Sequence, residues 1–231
     1  MNISTSKLSE NVLGIVDSRY HDRWLDAFGD VDKFIVETYR AADWTVTATG
    51  SSPVAASLVP DAKILITTQN VEYAGDNMQI LGSRFKLESG KPVYFRADLT
   101  VSNATQSDLL VGLCGVDTTL TAASTSHALA VTNGGVFFSK LDEVTAAYFK
   151  TYGTSTETNS AAAFTLDTSK HVYEIYWDGD TLYGKIDGAI VGSFAATIPS
   201  VVLTPSICFR AGTTTAITCT IHNFITIAVR G

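Results

Sequence analysis

The sequence predicts an all-β protein folded as a two-sheet antiparallel sandwich of the jelly-roll type. Short strand-like runs recur at intervals of about ten residues, and turn-forming Gly, Pro, Asn, Asp and Ser residues separate them. Several runs alternate strictly between apolar and polar residues, as half-buried strands do. No long helical pattern and no internal repeat interrupts this series of about fourteen or fifteen predicted strands.

Chain length and composition fit one sandwich domain preceded by a short arm. The 231 residues are 45% hydrophobic and only 17% charged, which suits extended strands with neutral polar outer faces. A domain of this size buries roughly 70–75% of its extended-chain surface, so it needs no metal or disulfide to stabilise it. We therefore expect residues 1–30 to form an N-terminal arm with a short helix, and residues 31–231 to form the β-sandwich domain.

The N-terminal arm is predicted to contact a partner. Residues 1–17 are polar apart from one apolar patch, and they are too few to fold alone. Ser18–Phe28 can form a short helix, because Tyr20, Trp24 and Phe28 recur every four residues and share one face. A frayed terminus is the alternative. The candidate partner-binding residues are Val12, Leu13, Ile15, Val16 and Tyr20.

Three stretches give the strongest strand predictions. Val93–Val101 alternates along its whole length, with the odd-numbered residues apolar. Asp108–Cys114 is apolar on both sides, which predicts a central strand covered on both faces. His171–Phe194 predicts a three-stranded meander with turns at Asp178-Gly179-Asp180 and Asp187-Gly188, because glycine tolerates the positive φ of hairpin turns.

The C-terminal strand and two loops complete the prediction. Ile217–Arg230 carries apolar residues at odd positions nearly to its end, which predicts one continuous apolar face. Residues 117–132 and 152–163 are rich in Thr, Ser and Ala and are predicted to be surface loops.

The acidic residues do not form a motif for glycan cleavage. Retaining hydrolysis needs two carboxyl groups about 5 Å apart, as alternate positions of a strand can supply them, but no ExDxxE motif occurs. Asp142 and Glu143 are adjacent and so fall on opposite faces, while Asp178 and Asp180 flank a turn glycine. A calcium site that includes Asp187 is the alternative to turn roles, although no bidentate Glu follows at loop spacing.

The other reactive side chains also lack a catalytic or metal-binding motif. The histidines are isolated from one another, and no Gly-x-Ser-x-Gly elbow is present, although a Ser–His–Asp set could still meet in space. Cys114, Cys208 and Cys219 lie far apart in apolar runs, which predicts buried free thiols rather than a disulfide or a metal site. We predict no enzyme activity, no metal and no cofactor.

Charge and hydropathy exclude several classes of partner. The net charge is −7 and the pI is about 5.0, so a concentrated basic surface for nucleic acid is not expected. No apolar run approaches the roughly 18 residues of a membrane span. The first twenty residues lack the basic segment and apolar core of a secretory signal.

Three tyrosines are candidates for a binding platform. Tyr94, Tyr176 and Tyr183 fall on the faces opposite to the apolar positions of their strands. Exposed aromatic rings stack on sugars or pack on partner proteins. The alternative is that the second sheet covers these rings.

Several stretches of the chain resemble a known family. They are KPVYFRADLTVSNATQSDLLVGLCGVDTT (91–119), GGVFFSK (134–140), YEIYWDGDTLYGKIDGAIVG (173–192), TPSICFR (204–210) and the opening strand WTVTATG (44–50). They resemble the concanavalin A-like, laminin-G-like jelly-roll proteins encoded among the structural genes of tailed phages. The resemblance covers roughly residues 34–229, and its motifs are signatures of fold rather than of catalysis.

The resemblance implies a two-sheet antiparallel jelly roll and an accessory role on the virion. The expected function is that of a non-enzymatic virion structural protein that decorates or cements the outer capsid surface. Its partners would be the major capsid protein and copies of itself, with a trimer as the natural oligomer on a symmetric lattice. A glycan-binding adhesion module on the virion is the alternative, and a lyase or hydrolase is a third reading. Neither lectin-type metal ligands nor glycosidase carboxylates carry over, because their motifs are missing.

Overall fold

The protein folds into two packed antiparallel β-sheets. The computed structural model describes residues 35–36, 44–49, 57–59, 63–82, 85–121, 129–153 and 157–228. In chain order the strands are β1 (Ile35–Val36), β2 (Trp44–Thr49), β3 (Ser57–Val59), β4 (Lys63–Thr67), β5 (Gly75–Ile80), β6 (Val93–Val101), β7 (Ser107–Cys114), β8 (Gly135–Lys140), β9 (Ala146–Tyr152), β10 (Glu157–Thr165), β11 (His171–Trp177), β12 (Leu182–Ile186), β13 (Ala189–Phe194), β14 (Thr204–Ala211) and β15 (Thr218–Ala228). The predicted all-β sandwich is confirmed.

The two sheets have different strand orders. Sheet A has the hydrogen-bonded order β13-β12-β11-β6-β15-β4-β3, and β1 pairs with β15 as well. Sheet B has the order β10-β9-β8-β7-β14-β5-β2. All the strand pairs within the described residues are antiparallel, and most neighbours in space are distant in sequence. Long-range pairing therefore holds both sheets together.

The hydrophobic core lies between the sheets and takes one face of each strand. The odd-numbered residues of β6, from Val93 to Val101, are at most 2% exposed and all belong to this core. Each large apolar side chain buried in this way stabilises the fold by about 1.5–3 kcal/mol. The alternation predicted for Val93–Val101 is confirmed, with the same bounds.

The predicted meander is also confirmed, as β11, β12 and β13. Asp187 and Gly188 both adopt positive φ, 52° and 80°, which is the backbone that a tight two-residue hairpin turn requires. The carboxylate of Asp178 accepts hydrogen bonds from the backbone N–H groups of Asp180 and Thr181, at 2.8 and 2.7 Å. These aspartates shape turns, as the sequence predicts.

One predicted loop is a strand. Residues 157–165 form β10 at the edge of sheet B, paired with β9 and interrupted by a register shift between Asn159 and Ala163. The sequence prediction of a loop over 152–163 was wrong because this strand is built from small neutral residues, whose composition also suits loops.

The last strand changes face along its length. Ile221 pairs with Leu99, but Asn223 pairs with Asp98, so His222 is an extra residue in a β-bulge. Beyond the bulge the even positions, among them the buried Phe224, face the core. The prediction of one continuous apolar face at odd positions therefore holds only up to Ile221.

The predictions for the N-terminal part lie outside the described residues. They are the helix over Ser18–Phe28, the arm over 1–30, and the partner-binding residues Val12, Leu13, Ile15, Val16 and Tyr20. Within the described ranges, no helix is long and apolar enough to cross a membrane.

One buried carboxyl group is left without a hydrogen-bond partner in the described part of the chain. Asp76 of β5 lies in register with Phe209 of β14 and Ala48 of β2, so its side chain is on the core side of sheet B. It is fully buried, and neither carboxylate oxygen accepts a hydrogen bond. Burial raises the pKa of Asp76 to about 7, because an apolar environment disfavours the charged form.

We predict that Asp76 makes stability fall as pH rises from about 4 to about 7. In this range the folded state keeps a proton on Asp76 that the unfolded chain has lost. Asp76→Asn should therefore be more stable than the wild type at pH 8, by up to about 4 kcal/mol, and similar to it at pH 3. Urea unfolding of both proteins across this range measures the difference, and a difference that does not vary with pH would contradict the prediction.

Candidate binding faces

The middle of the outer face of sheet B is closed by packed side chains. Leu110 and Cys114 of β7 and Cys208 of β14 point away from the core and form a second apolar cluster. Leu120 and Val131, from the segment that joins β7 to β8, pack on them. This confirms that β7 is covered on both faces, as its sequence predicts, and leaves no cleft at this point of the sheet.

Amide side chains of β5 fasten that joining segment to the sheet. Gln79 donates to the carbonyl of Gly115 at 3.1 Å and accepts from the backbone N–H of Asp117 at 2.9 Å. Asn77 donates to the carbonyl of Asp117 at 2.9 Å. Residues 117–132 were predicted to be a surface loop, but the described parts include Leu120, which is fully buried. The isolated apolar residues of the segment 117–132, such as Leu120, were the sequence signal for this packing.

A buried ion pair lies on the same outer face. Arg210 of β14 and Asp108 of β7 are directly paired across the strands, and their side chains are 0% and 1% exposed. The guanidinium donates two hydrogen bonds to one carboxylate oxygen of Asp108, at 2.8 and 3.1 Å. The other oxygen accepts from the backbone N–H of Asp142, and the guanidinium lies 5.9 Å from the ring centre of Tyr73. The pair thus ties two strands to the β8–β9 turn and to the Tyr73 segment.

The outer face of sheet A carries paired polar groups. Tyr94 of β6 donates a 2.5 Å hydrogen bond to Glu174 of β11, and both side chains are buried although they point away from the core. Burial and the neighbouring Glu174 carboxylate raise the pKa of Tyr94 well above its usual value. Next to them, Asp98 accepts hydrogen bonds from Arg96 at 2.8 Å and from Asn223 at 3.0 Å.

Two of the three predicted platform tyrosines lie together on this face. Tyr176 and Tyr183 are cross-strand neighbours whose rings stack at a centroid distance of 6.3 Å and an angle of 21°. Both are half-buried, and sheet B does not cover them. Tyr94 is buried instead, and its hydroxyl donates to Glu174. Ile190 of β13, opposite Lys185, is 61% exposed at the margin of this face.

His171 and the two carboxylates beside it serve local structure. His171 lies between two carboxylates, with Nδ1 2.7 Å from Asp187 and Nε2 3.0 Å from Asp167. Asp187 also accepts from the backbone N–H of Val172 at 2.8 Å, so these contacts pin the end of β11 to a turn. Within the described ranges, no group of three or more His, Cys, Asp or Glu side chains could hold a metal ion.

The three cysteines are free and fully buried, as the sequence predicts. Burial raises the pKa of Cys208 to about 11 and that of Cys219 to about 12. It also raises the pKa of Cys114. A thiol that stays protonated and buried is a poor nucleophile, so these residues act as small apolar side chains of the two clusters.

Sequence reasoning missed the buried ion pair and the carboxylates around His171. Arg210 and Asp108 are 102 positions apart, and the pairing of β7 with β14 alone brings them together. The available signal was a single charged residue next to an otherwise apolar run, in DLLVGLC and in SICFR. A charge placed there needs a partner of opposite sign when the strand is buried on both faces.

Comparison with known proteins shows which solved structures have a similar fold. No protein-family model and no curated protein sequence matches the chain. Among solved structures, the carbohydrate recognition domain of Emp47p is similar with a TM-score of 0.62 and 12% identity, over 87% of this chain and 99% of that chain. An endo-1,3-beta-glucanase from Streptomyces sioyaensis has a TM-score of 0.61 and 12% identity, over 87% and 95%. A Bacillus licheniformis beta-glucanase has a TM-score of 0.58 and 11% identity, over 85% and 96%.

These likenesses identify the fold class. The protein is a two-sheet antiparallel sandwich with a concanavalin A-like jelly-roll fold, the fold of lectin and glucanase structures. At such low identity the likeness concerns the fold alone. The part of the resemblance that points to tailed-phage structural proteins stays a prediction.

We predict that breaking the buried Arg210–Asp108 pair strongly destabilises the fold. Asp108→Asn leaves the buried guanidinium without its counter-charge and should lower the free energy of unfolding by about 3–5 kcal/mol. Glu88→Gln is the matched control, since Glu88 pairs with Lys86 and Lys91 at the surface and its loss should leave stability close to that of the wild type. Denaturant unfolding of the three proteins measures both effects. Equal stability of the two variants would contradict the prediction.

Proposed function

We propose that the protein is a non-enzymatic structural protein of a tailed-phage virion that decorates the outer capsid surface. The observation that carries the proposal is the character of the outer face of sheet A. Its polar groups are buried and paired with one another, as in Tyr94–Glu174 and Arg96–Asp98, rather than spread as solvated charges. A stacked tyrosine pair and the exposed Ile190 lie beside them. Aromatic, arginine and aliphatic side chains of this kind are enriched at protein–protein contacts.

The proposed mechanism uses this face together with the N-terminal segment. The apolar residues Val12, Leu13, Ile15 and Val16, with Tyr20, would be buried at joints between capsid subunits or neighbouring copies. Stable protein interfaces bury about 1,200–2,000 Å², which a segment plus one sheet face can supply. The proposed partners are the major capsid protein and further copies of this chain, with a trimer at three-fold lattice positions.

The absence of enzyme activity is part of the proposal. It is supported by the way in which acidic groups of the described residues are engaged. Asp108 is held by Arg210, Glu174 by Tyr94, and Asp187 by His171 and a backbone N–H. Each of these carboxylates therefore has a structural contact to maintain, and a catalytic carboxylate would need to be available to substrate.

We predict that the apolar N-terminal patch is required for attachment to particles. Deleting residues 1–17 should abolish binding to capsids that lack the protein, while circular dichroism and thermal unfolding of the sandwich stay close to wild type. Replacing Val12, Leu13, Ile15 and Val16 together by Ser should have the same effect, because it removes the apolar surface that binding would bury.

Deleting only residues 1–7 is the control, since it keeps the patch, and this variant should bind as the wild type does. Occupancy can be measured by co-sedimentation with purified particles followed by quantitative gel analysis. Normal occupancy of the 1–17 deletion would contradict the role of the patch.

A second candidate function is glycan binding, as an adhesion module of the virion. The concanavalin A-like fold, which it shares with a carbohydrate recognition domain, and the half-buried outward tyrosines favour it. Tyrosine offers an apolar ring for stacking and a hydroxyl for hydrogen bonding to sugars. A glycan array probed with the full chain should then give saturable binding, and an array without signal at high protein concentration would count against this candidate.

A further inference from the structure

A strip of polar and aromatic side chains runs along the open margin of sheet B. Its members are Tyr148, Lys150 and Tyr152 of β9 with Glu157 and Asn159 of β10, and we call it the tyrosine strip. Neighbouring Ala147 and Phe149 are in the buried interior, so the strip residues of β9 point to the outer face. Both tyrosines are half-buried, while Asn159 is exposed.

The register fixes how the strip is assembled. Lys150 pairs with Asn159, and Tyr152 pairs with Glu157, so the two strands contribute adjacent side chains. Tyr152 lies four positions after Tyr148 on one strand, which spaces the two residues roughly 13 Å apart along the strand. That distance is of the order of a short run of sugar rings.

The charge on the strip is balanced. Lys150, which lies between the two tyrosines, forms an ion pair of 2.9 Å with Glu157, and the two side chains are 10% and 33% exposed. The chain as a whole carries a net charge of −7. The balanced ion pair gives the strip no excess charge with which to bind a charged ligand, and the net charge of the chain disfavours an acidic one, so a neutral ligand rich in hydroxyl groups suits this surface.

A buried hydroxyl beside the strip has no partner. Ser139 of β8 pairs in register with Tyr148, and its other neighbour Leu110 belongs to the outer apolar cluster, so Ser139 is on the same face. It is 3% exposed, and its Oγ makes no hydrogen bond within the described part of the chain. Buried hydroxyls normally make a hydrogen bond, so the Oγ of Ser139 keeps a donor and an acceptor that a ligand on this surface could use.

The β7–β8 segment borders the strip on one side, and a groove continues it at one end. Tyr152 and Leu129 pack against the outer cluster, which also contains Val131, so the β7–β8 segment forms a border beside the strip. Beyond Tyr152 the chain continues into Gly153, which with Asn133 and Val202 lines a shallow groove of about 340 Å³. An extended ligand would therefore lie along the strip and continue into the groove.

We propose that the tyrosine strip binds a neutral linear oligosaccharide, with sugar rings stacked on Tyr148 and Tyr152. Lys150, Glu157 and Asn159 hold hydroxyl groups between the two stacked positions, and Ser139 accepts or donates one further hydrogen bond. This proposal rests on the glycan-binding candidate above and assigns its site. An added peptide strand is a poorer fit, because a peptide would pair with the backbone at the edge of β10 rather than lie on the face of the sheet.

The test is a glycan array followed by calorimetry on the neutral oligosaccharide that gives the strongest signal. Tyr148→Ala and Tyr152→Ala should each weaken binding at least tenfold, and Tyr148→Phe should bind within a few-fold of the wild type because it keeps the ring. Leu81→Ala, which removes an exposed apolar side chain outside both the strip and the groove, is the control and should bind normally.

Ser139→Ala separates the proposed role from a structural one. Removing a buried hydroxyl that has no partner should leave the free energy of unfolding unchanged or higher, yet it should weaken oligosaccharide binding several-fold. Normal binding by Tyr148→Ala and Tyr152→Ala would overturn the assignment of the strip while glycan binding stands. Binding of acidic glycans alone would overturn the neutral ligand class. No binding by the wild-type protein would overturn both the strip and the glycan-binding candidate.

Discussion

Burial of the two central strands of sheet B on both faces constrains the rest of this structure. Leu109 and Val111 of β7 face sheet A, while Leu110 of the same strand and Cys208 of β14 face the segment that crosses the outer side. A strand covered twice has no room for a solvated charge, so the one ion pair at this level is satisfied internally. This double burial also leaves no cleft in the middle of sheet B. A ligand or partner would therefore bind at the margins of sheet B or on sheet A.

The outer faces of the two sheets differ in how their polar groups are arranged. On sheet A, the charged and phenolic groups of β6 and β11 bind one another, and stacked aromatic rings lie next to them. Removing water from this face on binding costs little free energy, because its polar groups already have hydrogen-bond partners. The face therefore suits contact with protein. On sheet B, the margin near β9 and β10 keeps polar groups available, among them the exposed Asn159. In the functions proposed above, the outer face of sheet A would be the surface for attachment, and the margin of sheet B would bind a hydroxyl-rich ligand.

Much of the fold could be predicted because its signals are local. The alternation in Val93–Val101, the doubly apolar run Asp108–Cys114 and the turn Asp187-Gly188 each follow from a short window of sequence, and the structure confirms all three. The edge strand Glu157–Thr165 was missed, since its small neutral residues resemble a loop. The bulge at His222 was missed because the apolar positions of the window carry no sign of an extra residue.

The candidate sites were harder to predict, because they depend on which strands become neighbours. The stacking of Tyr176 on Tyr183 follows from a hairpin, and the sequence indicated both residues as outward-facing. The tyrosine strip needs the pairing of β9 with an unpredicted strand, so the window around Tyr148 could not reveal it in full. The one available sign was the alternation of TAAYFKTY, in which Tyr148, Lys150 and Tyr152 share a face opposite to Phe149.

The most direct test of a capsid-decorating role is the position of the protein in an intact particle. A cryo-EM reconstruction of purified virions that contain the chain would locate it at a resolution sufficient to recognise two stacked sheets. We predict sandwich density on the outer capsid surface at symmetric lattice positions, with sheet A turned towards the lattice. Density for the sandwich only on the tail, or particles that lack the protein altogether, would contradict it.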